Sequence, residues 1–358
     1  MGFRIETVKA ALTRHQCRDE TLEPGPGEAI ARIDLAAITA NNVTYAVYHG
    51  PPLHYGAFFP ASGPEWLVVP LWGFATVVAS RAEGVAEGER VWGYWPSASH
   101  LRLAPAPQSG GGFTDRASHR APMAAVYNQY VPARAVAPEA DEPMAALFRP
   151  LFGTAFALDA ALAGQPEEAG PDATFLFTSA SAKTALGTAW CLRQRGTHRV
   201  VGLTSPRNLP FVARTGLYDE VLAYDAIESL PAERPTVLVD FAGNGATMQR
   251  LHGHLRQLKA SHIVGDTHWQ APAAAELPGP KPAFFFAPAT IAELAVRMGP
   301  AGFQATLADR MRQFIGAAAD WLGVKEYHGP EGFSAAFDPL VTGEADAATA
   351  AVWRPRGP

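Results

Sequence analysis

Alternation of strand-like and helix-like segments between residues 146 and 320 is the feature that most constrains the fold of this chain. Apolar runs such as ATFLFTSA, RVVGLTS and TVLVDFAG are each followed by a segment with apolar residues at helical spacing. Such alternation is typical of right-handed βαβ crossovers that build a parallel sheet covered on both faces. The sequence therefore predicts an α/β fold with a doubly wound, Rossmann-type domain at residues 146–320.

Residues 1–145 have a different character. They are rich in Pro, Gly, Val and aromatic residues, and short apolar runs such as EAIARIDLAAI and GERVWGYW alternate with turn signals. This pattern predicts a mainly β domain, in which the Pro- and Gly-rich segment APAPQSGGGFTD is a surface loop. The tail holds the end of a long helical stretch, IAELAVRMGPAGFQATLADRMRQFIGAAADWLG, and a last strand near AAVWRP.

Composition excludes several classes of protein. The net charge is −5 and no basic block occurs, which argues against a nucleic-acid partner. An apolar leader and an uninterrupted apolar stretch of about 18 residues are both missing, so we expect a cytoplasmic protein without a membrane partner. The two cysteines, Cys17 and Cys191, are too few for a disulfide framework or a cysteine-rich zinc site. We therefore expect no metal.

Residues 175–187, FLFTSASAKTALG, run from a buried strand through small residues into a helix. Small residues let the backbone approach a pyrophosphate, and the helix N-terminus offers N–H groups and a partial positive charge. This turn predicts a dinucleotide site whose candidate contacts are Thr178, Ser179, Ser181, Lys183 and Thr184. Because the loop is poor in glycine, an ordinary turn capped by Ser or Thr, with a solvated lysine in the first helical turn, is the alternative.

The end of the second strand indicates which nucleotide this site prefers. An NAD enzyme usually places Asp or Glu there to bind the ribose 2′-hydroxyl, but residues 204–208 are TSPRN. Ser205 and Arg207 can instead bind a 2′-phosphate through charge-assisted hydrogen bonds. The sequence therefore favours NADP(H), and an exposed first-turn arginine without a ligand is the alternative.

Two later strand ends are expected at the same edge of the sheet, where ligands of open α/β sheets bind. Residues 240–245, DFAGNG, place Gly243 and Asn244 near the adenosine or nicotinamide ribose. Residues 285–288, FFAP, allow Phe286 to frame the carboxamide. For this second segment a buried sheet strand is the alternative, because continuous apolar runs are typical of parallel sheets.

With these residues in view, the chain resembles the medium-chain dehydrogenase/reductase superfamily, in its zinc-free quinone-reductase and enoyl-reductase branch. Residues 70–80, PLWGFATVVAS, and 84–91, GVAEGERV, look like its glycine-and-valine strand and following turn. The resemblance implies a GroES-like mainly β catalytic domain, made of residues 1–145 and 321–358, with the active site in a cleft beside the Rossmann domain. In NADP-dependent relatives the 2′-phosphate is surrounded by the positions of Ser205, Arg207 and Tyr224. More specifically, ITANNVTYAVYHG, GYWPSASHL, DFAGNGA and FFFAP are similar to the DUF2855 family, a label that supplies no reaction.

The same resemblance points to a candidate catalytic segment at residues 41–50, NNVTYAVYHG, where the superfamily has a loop lining the nicotinamide pocket. Asn41 matches the superfamily's asparagine. The tyrosine that serves enoyl reductases would fall at Pro52, so Tyr45 and Tyr48 are the nearest hydroxyls. Either one is a candidate to place or protonate a substrate, and packing is the alternative for each. The crowd of aromatic residues around them suits an apolar, planar substrate.

Three functions follow from these observations. The first is a zinc-independent oxidoreductase that transfers hydride from NADPH to a quinone, enone or enoyl-type small molecule. The second is a non-catalytic or sensing protein that binds NADP(H) on the same fold. The third is a hydrolase that uses Ser179 or Ser181, but the G-x-S-x-G elbow is missing. Because superfamily relatives are commonly dimers, we also expect a homodimer.

Overall fold

The computed structural model describes residues 2–51, 53–163, 170, 172–196, 198–265 and 276–356. Two compact units account for the chain. The β unit runs up to Leu147 and resumes at Gly323, and the α/β unit comprises Phe148–Leu322.

The strands of both units, in chain order, are β1 (Gly2–Val8), β2 (Ala11–Glu20), β3 (Ala29–Ile38), β4 (Trp66–Leu67), β5 (Pro70–Ser80), β6 (Arg90–Pro96), β7 (His100–Leu103), β8 (Pro105–Pro107), β9 (Phe113–Asp115), β10 (Gln129–Pro132), β11 (Thr174–Phe177), β12 (Arg199–Thr204), β13 (Glu220–Ala223), β14 (Thr236–Asp240), β15 (Leu258–Ile263), β16 (Ala283–Phe284), β17 (Gly323–His328) and β18 (Thr349–Arg354). The α-helices are α1 (Ala40–Val47), α2 (Glu142–Leu162), α3 (Lys183–Arg195), α4 (Leu209–Thr215), α5 (Gly245–His254), α6 (Ala287–Met298), α7 (Pro300–Ala318) and α8 (Gly329–Thr342). Short 3₁₀ turns occur at Tyr55–Ala57, Ser118–Arg120, Ala125–Asn128, Ala133–Ala135, Glu139–Asp141 and Tyr224–Ser229.

The β unit contains two sheets. One is three-stranded, in the order β2-β1-β4, and the other is nine-stranded, in the order β17-β18-β3-β5-β6-β10-β9-β8 with β7 also paired to β3. Strand β18 lies antiparallel to β3, with Val352 opposite Ala37, so the C-terminal segment completes this sheet. Gly73 permits the close crossing of β5 and β3, because a Cβ there would lie 2.1 Å from the carbonyl oxygen of Leu35.

The α/β unit contains one six-stranded parallel sheet in the order β13-β12-β11-β14-β15-β16. Counted from its own first strand, this is the order 3-2-1-4-5-6 of a doubly wound fold. Its central strands β11 and β14 are buried along their whole length, which explains their continuous apolar sequence. The predicted combination of a mainly β domain and a doubly wound domain is confirmed.

Three segments differ from the sequence-based expectation. Residues 41–47 lie in helix α1 rather than in a loop, because Asn42 secures the first turn by accepting a hydrogen bond from the backbone N–H of Thr39 at 2.6 Å. The segment APAPQSGGGFTD is not a plain loop, because β8 and β9 pair antiparallel within it. The long helical stretch divides at Gly299, whose φ of 73° breaks the helix, and it is followed by an unpredicted strand, β17, and helix, α8.

Among the described residues, one helical segment, Glu139–Leu162, is long and apolar enough by composition to cross a membrane. In the structure, 67% of its most apolar window is buried within the protein. Ala155, Ala157 and Leu158 are fully buried. These features are typical of a core helix of a globular protein.

Candidate functional site

The loop that follows β11 makes a tight turn over the carboxyl edge of the parallel sheet. Ser179 adopts a left-handed φ of 46°. The N–H of Ala180 donates to the carbonyl of Leu203 on the neighbouring strand at 2.9 Å. Within the loop, the N–H of Ala182 donates to the carbonyl of Ser179 at 2.7 Å. The small side chains are required here, because a Cβ on Gly202 would lie 2.8 Å from the Cβ of Ala180. The loop is therefore packed directly on the sheet.

Tyr224 extends from the end of β13 to this loop. Its hydroxyl accepts a hydrogen bond from the backbone N–H of Ser179 at 2.7 Å. Burial raises the pKa of Tyr224 to about 12, although the bond from Ser179 acts in the opposite direction. The hydroxyl of Ser181 accepts a hydrogen bond from the side-chain amide of Asn208 at 3.2 Å. Thus Ser179, Ser181 and Tyr224, which the sequence singled out, lie together, and Asn208 joins them.

Thr178 and Asp240 connect the two central strands at their carboxyl ends. The Thr178 hydroxyl donates to a carboxylate oxygen of Asp240 and accepts from the N–H of Phe241 at 3.0 Å. Asp240 also accepts from the N–H groups of Ala242 and Gly243, each at 3.0 Å. Strand order reverses between β11 and β14, which is where ligands of open α/β sheets bind. Because the Thr178 side chain is fully buried, the structure gives its hydroxyl a bracing role at this position.

Helix α3 begins at the end of the loop with Lys183 and Thr184. The N-cap residue is Ala182, whose side chain makes no cap hydrogen bond. The positive end of the helix dipole lies at this start of α3, where the first N–H groups have no acceptor within the helix. The carbonyl of Thr184 accepts a hydrogen bond from the hydroxyl of Thr188 at 2.9 Å. The alternative of a Ser or Thr N-cap is therefore wrong for this turn. The arrangement suits a negatively charged group.

Strand β12 ends at Thr204 and is followed by Ser205, which is partly buried, and by Arg207, which is exposed. Gly243 has a left-handed φ of 73°, and Asn244 caps α5 by accepting a hydrogen bond from the N–H of Thr247 at 2.9 Å. Phe286 is 50% exposed and precedes α6. Its exposure contradicts the alternative that this segment is a buried sheet strand, because β16 ends two residues earlier.

A second group of candidate residues belongs to the β unit. Asn41 and Tyr45 are four residues apart on α1 and therefore share one face of the helix. The Tyr45 hydroxyl accepts hydrogen bonds from the side-chain amide of Asn41 at 2.7 Å and from the indole N–H of Trp72 at 2.9 Å. Asn42 fixes the helix by donating to the carbonyl of Pro70 at 2.8 Å. The structure therefore brings two of the three predicted catalytic residues into contact.

Tyr45 belongs to a four-tyrosine cluster, formed by Tyr45, Tyr55, Tyr94 and Tyr127. The ring centroids of Tyr45 and Tyr55 are 4.5 Å apart, and those of Tyr94 and Tyr127 are 4.9 Å apart. The hydroxyls of Tyr55 and Tyr127 are 3.0 Å apart. Burial is the main cause that raises the pKa of all four phenols. All four hydroxyls are therefore protonated at neutral pH.

The remaining predicted catalytic residue, Tyr48, ends helix α1. Its N–H donates to the carbonyl of Thr44 at 2.9 Å, and its carbonyl accepts from the N–H of Tyr55 at 3.1 Å. Pro52, where an enoyl reductase would carry its tyrosine, lies outside the described residues. Sequence reasoning placed Tyr55 and Tyr94 only among the aromatic residues near Tyr45 and Tyr48, and it passed over Tyr127. The three come from separate elements, and no local spacing connects them.

The described residues contain no group of three or more His, Cys, Asp or Glu side chains that could hold a metal ion. The buried carboxylate of Asp115 is paired with Arg120, and that of Asp240 binds backbone N–H groups. Neither carboxylate is arranged with other ligands around a common point.

Comparison with solved structures defines the class of protein to which this fold belongs. CurA from Vibrio vulnificus matches with a TM-score of 0.65 and 14% identity, covering 100% of both chains. Its complex with NADPH matches with a TM-score of 0.63 and 14% identity, covering 96% of this chain and 95% of that one. A quinone oxidoreductase of Pseudomonas syringae pv. tomato matches with a TM-score of 0.60 and 14% identity, covering 99% of this chain and 100% of that one. This likeness shows that the chain shares the fold of these proteins.

The chain belongs to the DUF2855 family, whose description reads "Protein of unknown function (DUF2855)" and whose family model matches residues 36–346. This match covers the end of β3, the four-tyrosine cluster, the whole α/β unit and most of the C-terminal segment. No curated protein matches the chain in sequence. The family is therefore established, and the reaction has to be argued from the two groups of residues described above.

Proposed function

We propose that this chain is a zinc-independent, NADPH-dependent reductase that transfers hydride to a conjugated carbonyl of a quinone, enone or enoyl-type substrate. One observation carries the proposal. The carboxyl edge of the parallel sheet combines a small-residue turn, an α3 N-terminus whose N-cap residue, Ala182, makes no side-chain cap, and a second strand end without a carboxylate. The likeness in fold to CurA, which was solved with NADPH, and to a quinone oxidoreductase supports it.

The residues at this edge fit the phosphates of the cofactor. Ser179, Ser181, Lys183 and Thr184 surround the start of α3 and would hold the pyrophosphate, with Thr178 bracing the loop from behind. A 2′-phosphate would bind beside the second and third strands. That subsite comprises Ser205, Arg207 and Tyr224.

The rest of the nucleotide would extend toward the later strands of the same sheet. The turn after β14 would hold the ribose at Gly243 and Asn244, and the exposed ring of Phe286 would frame the carboxamide. NADPH supplies the hydride when it is bound. We therefore propose that the α/β unit binds the cofactor, as a Rossmann domain, and that the β unit binds the substrate, as a GroES-like catalytic domain.

In the β unit, Tyr45 is the proposed donor to the substrate carbonyl. Two N–H groups, from Asn41 and Trp72, already occupy its oxygen as an acceptor, so its own hydrogen must be directed elsewhere. The same two hydrogen bonds stabilise the phenolate that forms if the proton leaves. Tyr48, at the end of the same helix, is the second candidate. Because hydroxyls serve as the donors, the proposal requires no metal.

A non-catalytic NADP(H)-binding or sensing protein is the second candidate. One observation favours it, because the N–H groups of Ser179, Ala180 and Ala182 already bind Tyr224, Leu203 and Ser179 within the protein. The loop therefore offers a ligand fewer donors than a glycine-rich loop does. Under either candidate we propose a cytoplasmic protein, a homodimer, and an apolar or planar small-molecule ligand.

Turnover separates the two candidates. The test follows the loss of NADPH absorbance in the presence of a panel of quinones, enones and enoyl thioesters. Wild type and Tyr45→Phe are compared, and Tyr327→Phe is the control because Tyr327 lies outside the four-tyrosine cluster. The reductase proposal predicts acceptor-dependent oxidation that falls about 10²-fold or more in Tyr45→Phe and is unchanged in Tyr327→Phe. NADPH binding without turnover of any acceptor would favour the sensing protein.

A further inference from the structure

The four-tyrosine cluster has more hydrogen-bond donors than acceptors. Four hydroxyls supply four hydrogens, and the bond between Tyr55 and Tyr127 uses one, which leaves 4 − 1 = 3. Among the described residues none of these three hydrogens has an acceptor, and the Tyr94 hydroxyl has no partner of any kind. Tyr45 accepts twice but donates to no described residue. The cluster can therefore donate hydrogen bonds to an acceptor that binds beside it.

Burial distinguishes the members of the cluster. Tyr55 and Tyr127 are partly exposed, so water can accept from their pair. Tyr45 is 4% exposed and Tyr94 is fully buried. A buried hydroxyl without a hydrogen-bond partner destabilises the fold, because its lost contact with water is not replaced. The Tyr94 hydroxyl lacks a partner among the described residues, and the Tyr45 hydroxyl lacks only an acceptor for its own hydrogen. Because the two ring centroids are 5.4 Å apart, one acceptor from outside the described residues could serve both.

The surroundings restrict the chemistry of that acceptor. Aromatic rings line the cluster, with Trp72 at 4.8 Å and Phe58 at 5.2 Å from the ring of Tyr94. The nearby guanidinium of Arg120 is already paired with Asp115 at 2.9 Å and also donates to Tyr130. An acceptor here gains aromatic contacts and neutral O–H donors, which suits an uncharged oxygen on a flat apolar molecule better than a carboxylate.

We infer that Tyr94 and Tyr45 together bind the carbonyl oxygen of a planar conjugated ligand, as two neutral hydrogen-bond donors. The inference rests on the proposed function and deepens it, because it names Tyr94 as a further substrate-binding residue. When negative charge develops on that oxygen during reduction, the same two O–H groups stabilise it. Tyr94 is on β6 and Tyr45 is on α1, so the pair is held by the sheet and by the helix that packs beside it.

Binding without the cofactor tests the inference separately from the reductase proposal. All forms carry Cys17→Ser, because this exposed thiol can react with quinones. Calorimetry measures the affinity for 1,4-naphthoquinone, for naphthalene as the matched hydrocarbon, and for 2-naphthoate as the matched carboxylate. The forms compared are the wild-type background, Tyr94→Phe, Tyr45→Phe and the control Tyr327→Phe. If Tyr94→Phe does not fold, Tyr45→Phe carries the test.

The expected result is a quinone affinity that falls about tenfold in each cluster variant, the worth of one hydrogen bond of about 1.4 kcal/mol. Naphthalene binding and the Tyr327→Phe control should not change, and 2-naphthoate should bind more weakly than the quinone. The inference is overturned if the quinone fails to bind to the wild-type background. It is also overturned if the Tyr94→Phe and Tyr45→Phe variants bind the quinone as tightly as wild type, since water is then the acceptor. A third contrary result is an equal loss of affinity for naphthalene in these variants. Loss of NADPH binding with these quinone results intact would instead contradict the proposed function alone.

Discussion

The backbone N–H of Ser179 donates to the hydroxyl of Tyr224 at 2.7 Å, across 45 residues of sequence. This hydrogen bond joins the turn after the first strand of the parallel sheet to the end of its third strand. The turn needs such support, because Ser179 has a left-handed backbone conformation that only glycine adopts without strain. The relationship connects the stability of the loop with its proposed role in holding phosphates.

Replacing Tyr224 with Phe should weaken both properties. The N–H of Ser179 loses its acceptor, so the free energy of unfolding should fall by about 1–3 kcal/mol. The affinity for NADPH should fall as well, because the loop is less ordered and one hydroxyl of the 2′-phosphate subsite is missing. Urea denaturation and a cofactor titration measure the two effects, with Tyr327→Phe as the control. Wild-type values in both experiments would show that the hydrogen bond supports neither property.

The left-handed conformation of Ser179 gives a second prediction. Ser179→Gly removes the backbone strain but adds freedom to the unfolded chain, so stability should change by less than about 1 kcal/mol. Ser179→Val should cost about 1–3 kcal/mol, because a β-branched residue is strained at this φ. Comparison of the two variants by thermal denaturation isolates the backbone effect. Equal stability of the Gly and Val variants would contradict it.

Thr178 should prove to be a bracing residue. Thr178→Val keeps the shape of the side chain but leaves Phe241 without its acceptor and Asp240 without one donor. We expect a loss of about 1–3 kcal/mol in the free energy of unfolding. The exposed Thr13 of β2 provides the control, since Thr13→Val should change stability by less than about 0.5 kcal/mol. A similar loss of stability in Thr178→Val and Thr13→Val would argue against a bracing role for Thr178.

Most of the fold could be predicted from the sequence, and most of the site could not. The buried strands of the α/β unit were recognisable because both of their faces are covered, which makes them continuously apolar. The sequence predicts a loop at helix α1, because the resemblance to the superfamily implies one there. It gives no signal for β17, because four of the six residues of this strand are exposed and show no apolar alternation. The bond between Ser179 and Tyr224 and the four-tyrosine cluster depend on tertiary contacts, which leave no trace in local spacing.

Acidification should destabilise the β unit through Glu6. Burial alone would raise the pKa of this carboxyl, but hydrogen bonds from Ser62 and Gln16 outweigh it, and the pKa lies below the ordinary value of about 4.3. Because the folded pKa is depressed, the stabilisation is fully present above that ordinary value and is lost as the pH falls through the folded pKa. Glu6→Gln should therefore be less stable than wild type at pH 7, and the difference should shrink on acidification.

Midpoints of urea denaturation, measured from pH 7 downward through the pKa of Glu6, check this effect. The exposed Glu87 serves as the control, because Glu87→Gln should leave the pH dependence unchanged. A difference between wild type and Glu6→Gln that stayed constant as the pH fell would assign the loss to packing rather than to charge.

Binding of NADP(H) at the carboxyl edge of the parallel sheet can be measured by titrating the purified protein with NADPH and with NADH. Cofactor fluorescence is followed for wild type and for Arg207→Ala. We expect NADPH to bind more tightly than NADH. We also expect Arg207→Ala to weaken NADPH binding about tenfold and to change NADH binding little, because only NADPH carries the 2′-phosphate that we propose Arg207 to bind. Failure of both nucleotides to bind would contradict the proposed cofactor site. Equal binding of NADPH and NADH would contradict the proposed 2′-phosphate subsite.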